Sequence, residues 1–245
     1  MKKWNDKLEE IFSYIDLIKN DYIDVFFRGQ SNAEWPLLPG LARITERSEF
    51  FENRAYYDFV SYGGHLIPPY KSNWDVLFLM QHHGIPTRLL DWSENFSVAL
   101  YFALKDAKPD KPAALYILNP FKLNFESSKK DIIDYLDVSY PKGYYNYFVD
   151  DGFKEFGKFP ASIVAIGANP PNIRIVAQKS VFTIHNDLEK SLSELFPNTV
   201  TQIKIEPELF EDAKRFLYLT GINEFSLFPD LDGLSRYIKN KELEK

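Results

Sequence analysis

Helix-like and strand-like hydrophobic patterns are mixed along this chain, and their order constrains the fold more than any single motif. Apolar residues recur at helical spacing over about the first 18 residues, and 49–62 also reads as a helix. Runs of β-branched and aromatic residues predict strands at 23–28, 113–118, 162–166, 181–185 and 200–205. Because the strict alternation of a parallel sheet is missing, we predict an α+β fold with a mixed, mainly antiparallel sheet flanked by helices. The Tyr-rich segment 135–149 fits neither pattern.

Two pairs of polar residues have the spacing of helix capping boxes. Ser72 and Asp75 form the first pair, and Gly84 is placed to end that helix in the left-handed conformation. Asp91 and Glu94 form the second pair, so another helix is predicted to begin at Asp91, which would act as its N-cap.

The absence of internal repeats and low-complexity linkers predicts a single domain. The amphipathic segment 1–24 is predicted to pack as a helix on the body of the domain, which spans 25–238. Residues 239–245 are expected to form a charged tail.

Composition excludes several classes of chemistry. The 245 residues include no cysteine, which excludes disulfides, thiolate nucleophiles, cysteine-ligated zinc and iron–sulfur clusters. A formal charge of −6 argues against broad attraction to nucleic-acid backbones, although a local basic cleft is compatible with it. No apolar run approaches the roughly 20 residues that span a bilayer. We therefore expect a cytoplasmic protein with no membrane partner.

Arg28 is the first candidate for a binding role. It is predicted to lie at the end of the first strand, where its guanidinium fork could grip a phosphate. Gly29, which follows, lacks a side chain that would block close approach of a ligand to the backbone. The alternative is a structural arginine paired with an acidic residue.

The segment 81–92 holds the densest group of unusual polar residues. His82 and His83 point about 100° apart on a helix, so they cannot both bind one metal ion, and no metal site is predicted. One of them is expected to face a cleft. Arg88 is placed to form an i,i+3 ion pair with Asp91, whose alternative roles are helix capping and charge in a site.

Two later segments add polar residues to apolar runs. Gln178 precedes a predicted strand and could bond either a ribose or a loop backbone. The segment 223–234 carries carboxylates among large apolar side chains, which favours docking of the last helix on the core. Asp230 and Asp232 lack the remaining ligands of an EF-hand.

These segments resemble the FRG domain, a family named for a Phe-Arg-Gly motif. The matching residues lie within 25–238 and comprise Phe27-Arg28-Gly29-Gln30, the block 81–92 with its Pro-Thr-Arg-Leu-Leu-Asp-Trp string, 99–103, 174–182 and 228–230. Ser180 stands where the family pattern Gln-x-Gly-x-Phe has glycine. Members occur in bacteria and phages, so the resemblance implies a microbial protein.

The order of these residues is also similar to the layout of ADP-ribosyltransferases. That resemblance implies that Arg28 grips the diphosphate of NAD, as a substrate, while Thr87 and Gln178 hold ribose. Gly29, Gln30 and Arg88 would complete the nucleotide site. Such enzymes place a glutamate on the later strand where this chain has Gln178, and an amide stabilises an oxocarbenium ion less well than a carboxylate.

The resemblance therefore leads to two hypotheses. The first is an NAD-dependent ADP-ribosyltransferase, such as a toxin, of a bacterial or phage defence system, with His82 or Asp91 handling charge or proton transfer and an unidentified protein or nucleic-acid acceptor. The alternative is a non-catalytic module that binds nucleotide or protein in the same cleft. A third, less favoured hypothesis is a nuclease that uses His82 or His83 with Arg88 on RNA.

Overall fold

The computed structural model of the chain describes residues 2–18, 24–44, 48–67, 69, 72–136, 161–167 and 173–243. The Tyr-rich segment lies outside the described residues from 137 onward.

A single six-stranded sheet organises the described part of the chain. Its strands are β1 (Phe26–Gln30), β2 (Leu89–Ser93), β3 (Ala113–Leu118), β4 (Ile163–Ile166), β5 (Ser180–His185) and β6 (Val200–Ile205). They lie in the order β4-β5-β2-β1-β3-β6, and every neighbouring pair is antiparallel. The predicted α+β class and mainly antiparallel sheet are confirmed.

Helices supply the rest of the regular structure in the described ranges. They are α1 (Lys2–Ile18), α2 (Ser48–Gly63), α3 (Asn73–His82), α4 (Phe96–Lys105), α5 (Pro120–Ser128), α6 (Ile173–Ala177), α7 (Leu192–Leu195), α8 (Phe210–Leu219), α9 (Glu224–Leu227) and α10 (Leu231–Leu243). Short 3-10 turns occur at Leu41–Arg43 and Pro207–Leu209. None of the helices described is both long enough and apolar enough to cross a membrane.

Buried side chains form hydrophobic clusters on both faces of the sheet. On one face, α2 and α3 pack over the β4, β5 and β2 end, while α1, α4 and α8 pack over β1, β3 and β6. The other face is covered by α5, α7 and the loop that contains Leu37. Phe26 and Phe27 contribute to opposite faces because successive strand residues point in opposite directions.

The sheet is nearly open between its two central strands. β1 pairs with β3 at five positions and β2 pairs with β5 at five positions, but β1 and β2 pair only where Phe27 faces Ser93. Beyond that pair the strands diverge, which leaves a gap in the middle of the sheet.

Asp91 lies in β2, so the prediction that it caps a helix is wrong. The segment Leu89–Ser93 pairs along its whole length with β5, and this tertiary pairing overrides the local capping-box spacing. The N-cap of α4 is Asn95, whose side chain accepts a hydrogen bond from the Ser97 N–H at 2.8 Å. Asp91 is consequently available for contacts in the gap.

The first capping box and the left-handed glycine are confirmed. Ser72 is the N-cap of α3, the Asp75 carboxylate accepts a hydrogen bond from the Ser72 backbone N–H at 3.2 Å, and Gly84 has a φ of +81° after the end of the helix. Arg28, by contrast, lies in the middle of β1 and not at its end, because Gly29 and Gln30 continue the ladder with β3.

Gly29 is required by the packing of α4 on β1. A Cβ atom at this position would lie 1.9 Å from the Ala99 carbonyl oxygen and 2.4 Å from the Ala103 nitrogen. Any side chain would therefore push the helix off the strand. The three motif residues thus divide their roles: Phe27 packs in the core, Arg28 faces the gap, and Gly29 admits the helix backbone.

Candidate functional site

A cavity of about 290 Å³ lies where β1 and β2 part. Its walls come from both strands, the ends of α3 and β5, helices α4 and α6, and the loop after β1. The lining residues are Phe27, Arg28, Gly29, Gln30, Ser31, Trp35, Arg43, Gln81, Asp91, Trp92, Ser93, Val98, Ala99, Phe102, Arg174, Gln178 and Ser180.

Arg28 is held at this cavity without being neutralised by an interior acid. Its Nη1 donates to the Asp91 carbonyl oxygen at 2.6 Å and lies 4.0 Å from the Asp91 carboxylate, which is itself 55% exposed. The buried Nε–H of Arg28 has no hydrogen-bond partner among the described residues. Burial lowers the pKa of the guanidinium, and Asp91 opposes that shift. The positive charge of Arg28 is thus only partly compensated by the protein groups around it.

A short chain of hydrogen bonds fixes the Asp91 carboxylate. Thr87 accepts from the Leu89 N–H at 3.1 Å and donates to the side-chain oxygen of Gln81 at 2.7 Å. Because that oxygen is occupied, the Gln81 amide nitrogen turns to Asp91 and donates to it at 2.8 Å. Thr87 is fully buried and outside the cavity lining, so its hydroxyl acts on the site through Gln81.

Gln178 lines the cavity at the entrance to β5. Its side-chain amide donates to the Leu227 carbonyl at 3.0 Å, and its own backbone carbonyl accepts from the Ser93 hydroxyl at 2.7 Å. Ser180, the position where the family resemblance has glycine, also lines the cavity and adds a hydroxyl to it.

Arg174 reaches the same cavity from α6. Its guanidinium carbon lies 4.4 Å from the centre of the Phe228 ring, and its Nη1 donates to the His82 carbonyl at 3.4 Å. Burial lowers the pKa of Arg174, while Asp91 has the opposite effect. The Asp91 carboxylate therefore interacts electrostatically with two arginines, Arg28 and Arg174.

Two of the predicted site residues have other surroundings. Arg88 has no ion pair with Asp91: its Nε donates to Glu52 at 2.7 Å and its Nη2 lies 2.5 Å from the same carboxylate, with both side chains buried. His82 is outside the cavity lining, although its backbone carbonyl meets Arg174. Burial, followed by the charge of Arg174, lowers the pKa of His82.

The cavity therefore brings together part of the predicted set. Arg28, Gly29, Gln30, Asp91 and Gln178 line it, whereas Thr87, Arg88 and His82 do not. Arg43, Arg174 and Trp35 also line the cavity but were not predicted as site residues, because each lies in a loop or short helix that has no sequence pattern of its own. Arg174 could have been predicted from its position, because it lies in the segment 174–182 that also contains Gln178 and matches the family resemblance.

The charge of the lining favours an anionic ligand. Arg28, Arg43 and Arg174 contribute three positive charges, and Asp91 is the carboxylate that lines the cavity. Amides and hydroxyls supply further hydrogen bonds, and the Trp35 side chain, 47% exposed, offers a flat apolar surface. Within the described ranges, no group of three or more His, Asp or Glu side chains could hold a metal ion.

A buried histidine behind the cavity makes folding stability dependent on pH. The His185 Nε2 lies 2.9 Å from the Thr183 hydroxyl, which accepts from Trp92, while burial and the charge of Arg28 lower the pKa of His185 to about 3. An unfolded chain binds this proton near pH 6.5, so the stability that neutral His185 contributes is lost as the pH falls from there towards 3.

We expect this histidine alone to cost the wild type about 2 kcal/mol of unfolding free energy between pH 7 and pH 5. Urea unfolding at the two pH values checks this, with His185→Gln as the variant that lacks the titration. The variant should lose less stability over that range; equal losses in both proteins would contradict a neutral, buried His185.

Comparison with known proteins identifies one family. A family model for the FRG domain matches residues 23–112, which include Arg28, Gln81 and Asp91 but not Arg174 or Gln178. No curated protein and no solved structure matches the chain.

Proposed function

This chain contains an FRG domain, and we propose that its central cavity binds NAD and transfers the ADP-ribose part to an acceptor. The observation that carries this proposal is the environment of Arg28. Its guanidinium lines an open cavity, and the nearest carboxylate is the exposed Asp91 and not a structural acid. An arginine in this setting is suited to bidentate binding of a phosphate.

The dimensions of the cavity suit part of the ligand. A volume of about 290 Å³ is just below the range of about 300–1,000 Å³ that is typical of ligand pockets. We propose that the cavity holds the nicotinamide ribose and the diphosphate, while the adenosine extends towards the exposed face of Trp35.

Asp91 supplies the negative charge that the reaction needs. The bond between C1′ of the ribose and the nicotinamide nitrogen breaks, its electron pair leaves with neutral nicotinamide, and positive charge develops on the ribose. The acceptor then bonds to C1′ and loses a proton. A fixed carboxylate stabilises the charged transition state, and Gln81 holds Asp91 for that role at 2.8 Å.

Two measurements test this function together. Isothermal titration with NAD reports binding, and chromatography of the same mixture reports released nicotinamide. We expect saturable binding and release that depends on the protein concentration. Absence of binding at millimolar NAD would overturn the proposal. Its wider setting, a bacterial or phage defence system, is supported by the family resemblance.

A second function from another class is favoured by Gln178. The residue at the entrance to β5 is a neutral amide, and its side chain is already bonded to the Leu227 carbonyl. Such a site could bind NAD as a sensor without cleaving it. Tight binding without nicotinamide release would support this non-catalytic module over the transferase.

Asp91→Asn separates charge from shape at the site. The asparagine oxygen can still accept the Gln81 hydrogen bond, but the charge beside Arg28 and Arg174 is removed. We expect nicotinamide release to fall about 100-fold, as for other losses of transition-state charge stabilisation. NAD affinity should stay the same or rise a few-fold, because the arginines lose a competing anion. Glu94→Gln, at an exposed carboxylate outside the cavity lining, is the control. Unchanged release in Asp91→Asn would exclude the assigned role.

A further inference from the structure

The wall of the cavity formed by α6 is held by a turn near the end of the chain. Leu227 and Phe228 lie at the end of α9, far beyond the matched residues 23–112. The Leu227 carbonyl accepts from the Gln178 side chain at 3.0 Å, and the Phe228 ring lies under the Arg174 guanidinium at 4.4 Å. The turn at Leu227 and Phe228 thus contacts both Arg174 in α6 and Gln178 just after α6, the two residues through which this segment lines the cavity.

Phe228 is a rigid platform for cations. Its side chain is 6% exposed and packs in a cluster with Val98 and Leu227. Besides Arg174, two other cations lie over the ring: Lys105 Nζ at 4.9 Å and the Arg236 guanidinium carbon at 5.5 Å. Those two line a separate surface groove, whereas Arg174 lines the cavity. Stacking on an aromatic face restricts a guanidinium to one plane, so that its N–H donors point outward within that plane.

Arg174, Arg28 and the Asp91 carboxylate line the same cavity. Asp91 lies 4.0 Å from Arg28 Nη1 and attracts Arg174 as well. A multiply charged anion that enters the cavity therefore meets Arg28 on β1 and Arg174 on α6, in addition to the exposed Arg43. An arginine pair of this kind can contact two phosphate groups where a single arginine contacts one.

We propose that Arg174 is the second anion-binding arginine of this site, that it selects ligands with a diphosphate over those with a monophosphate, and that Phe228 is its positioning residue. The inference rests on the proposed nucleotide-binding function and names the part of the ligand that α6 recognises. The turn at Leu227 and Phe228 is thereby part of the nucleotide site.

The test compares the affinities for ADP and AMP by isothermal titration. In the wild type we expect ADP to bind at least about tenfold more tightly than AMP, since one charge-assisted contact corresponds to roughly that factor. In Arg174→Ala the ADP preference should fall towards one. Arg174→Lys keeps the charge without the planar fork and should give an intermediate preference. Phe228→Leu keeps an apolar side chain, and it should also lower the preference because the guanidinium loses its platform.

Lys105→Ala is the matched control, since Lys105 lies over the same ring but outside the cavity lining. It should keep the wild-type preference. A general structural defect would weaken the binding of ADP and AMP equally and leave the ratio of the two affinities unchanged. That result in an Arg174 variant would overturn the role of Arg174, and in Phe228→Leu it would overturn the role of Phe228. If Phe228→Leu does not fold, the Arg174 variants still decide the selectivity. Binding of ADP that requires Arg28 but not Arg174 would overturn this inference alone, whereas failure of the wild type to bind NAD, ADP or AMP would overturn the proposed function with it.

Discussion

Replacing Glu52 with alanine is expected to lower the free energy of unfolding by about 3–5 kcal/mol, the usual cost of breaking a buried ion pair. Glu52 is 1% exposed and Arg88 is 4% exposed. The carboxylate also accepts from the Arg88 backbone N–H at 3.0 Å, so it joins α2 to the residue just before β2. Its removal leaves a buried guanidinium without its carboxylate.

Urea unfolding measures this loss, and two further variants identify its cause. Glu211→Ala breaks an exposed i,i+3 pair with Lys214 and should change stability by less than about 0.5 kcal/mol. Glu52→Leu combined with Arg88→Met should recover much of the stability, because no buried charge is then left alone. A loss below about 1 kcal/mol in Glu52→Ala would mean that water reaches this pair, contrary to the burial described.

Arg28→Ala has the largest expected effect on binding. We expect NAD affinity to fall by about 100-fold or more, since hydrogen bonds to a charged group contribute about 1.5–3 kcal/mol each. Stability should change by only about 1 kcal/mol, because the side chain makes one hydrogen bond, to the Asp91 carbonyl, and its burial is unfavourable for the charge. Titration calorimetry and thermal unfolding measure the two effects separately.

Two arginine variants serve as controls for that result. Arg28→Lys keeps the charge but loses the fork, so its affinity should lie between those of the wild type and the alanine variant. Arg43→Ala removes an exposed arginine from the same lining and should weaken binding only a few-fold, because solvent screens its charge. Full NAD affinity in a folded Arg28→Ala protein would refute the assigned site.

Local patterns were sufficient to predict much of the framework. The strands at 113–118 and 200–205 were predicted to the residue because an apolar run in the first and a β-branched run in the second end at prolines or polar turns. The start of α3 followed from the spacing of Ser72 and Asp75, whose carboxylate accepts from the Ser72 backbone N–H. These elements are specified by residues close together in sequence.

The errors occurred where distant residues decide the structure. Capping-box spacing at Asp91 favours a helix, but pairing with β5, some 90 residues away, makes the segment a strand. The partner of Arg88 is Glu52, 36 residues away, and an i,i+3 pairing to Asp91 was the only choice visible locally. α6 was missed because a helix of five residues has no periodicity to detect.

Part of the candidate site was predictable from residue type and from the family resemblance. Arg28 and Gln178 were identified beside predicted strands and Asp91 at the start of a predicted helix, and all three line the cavity. Thr87 positions Asp91 through Gln81, and this depends on how the end of α3 packs against β2. Residue spacing in the sequence does not predict that packing. The contribution of Phe228 depends on folding the end of the chain back onto α6.

The most direct test of the central claim, that the gap between β1 and β2 binds NAD through Arg28, is a crystal structure of the protein with NAD. We predict density for the diphosphate within about 3 Å of the Arg28 guanidinium, with the nicotinamide ribose beside Asp91. NAD bound elsewhere, or an Arg28 turned inwards against a structural acid, would contradict the claim.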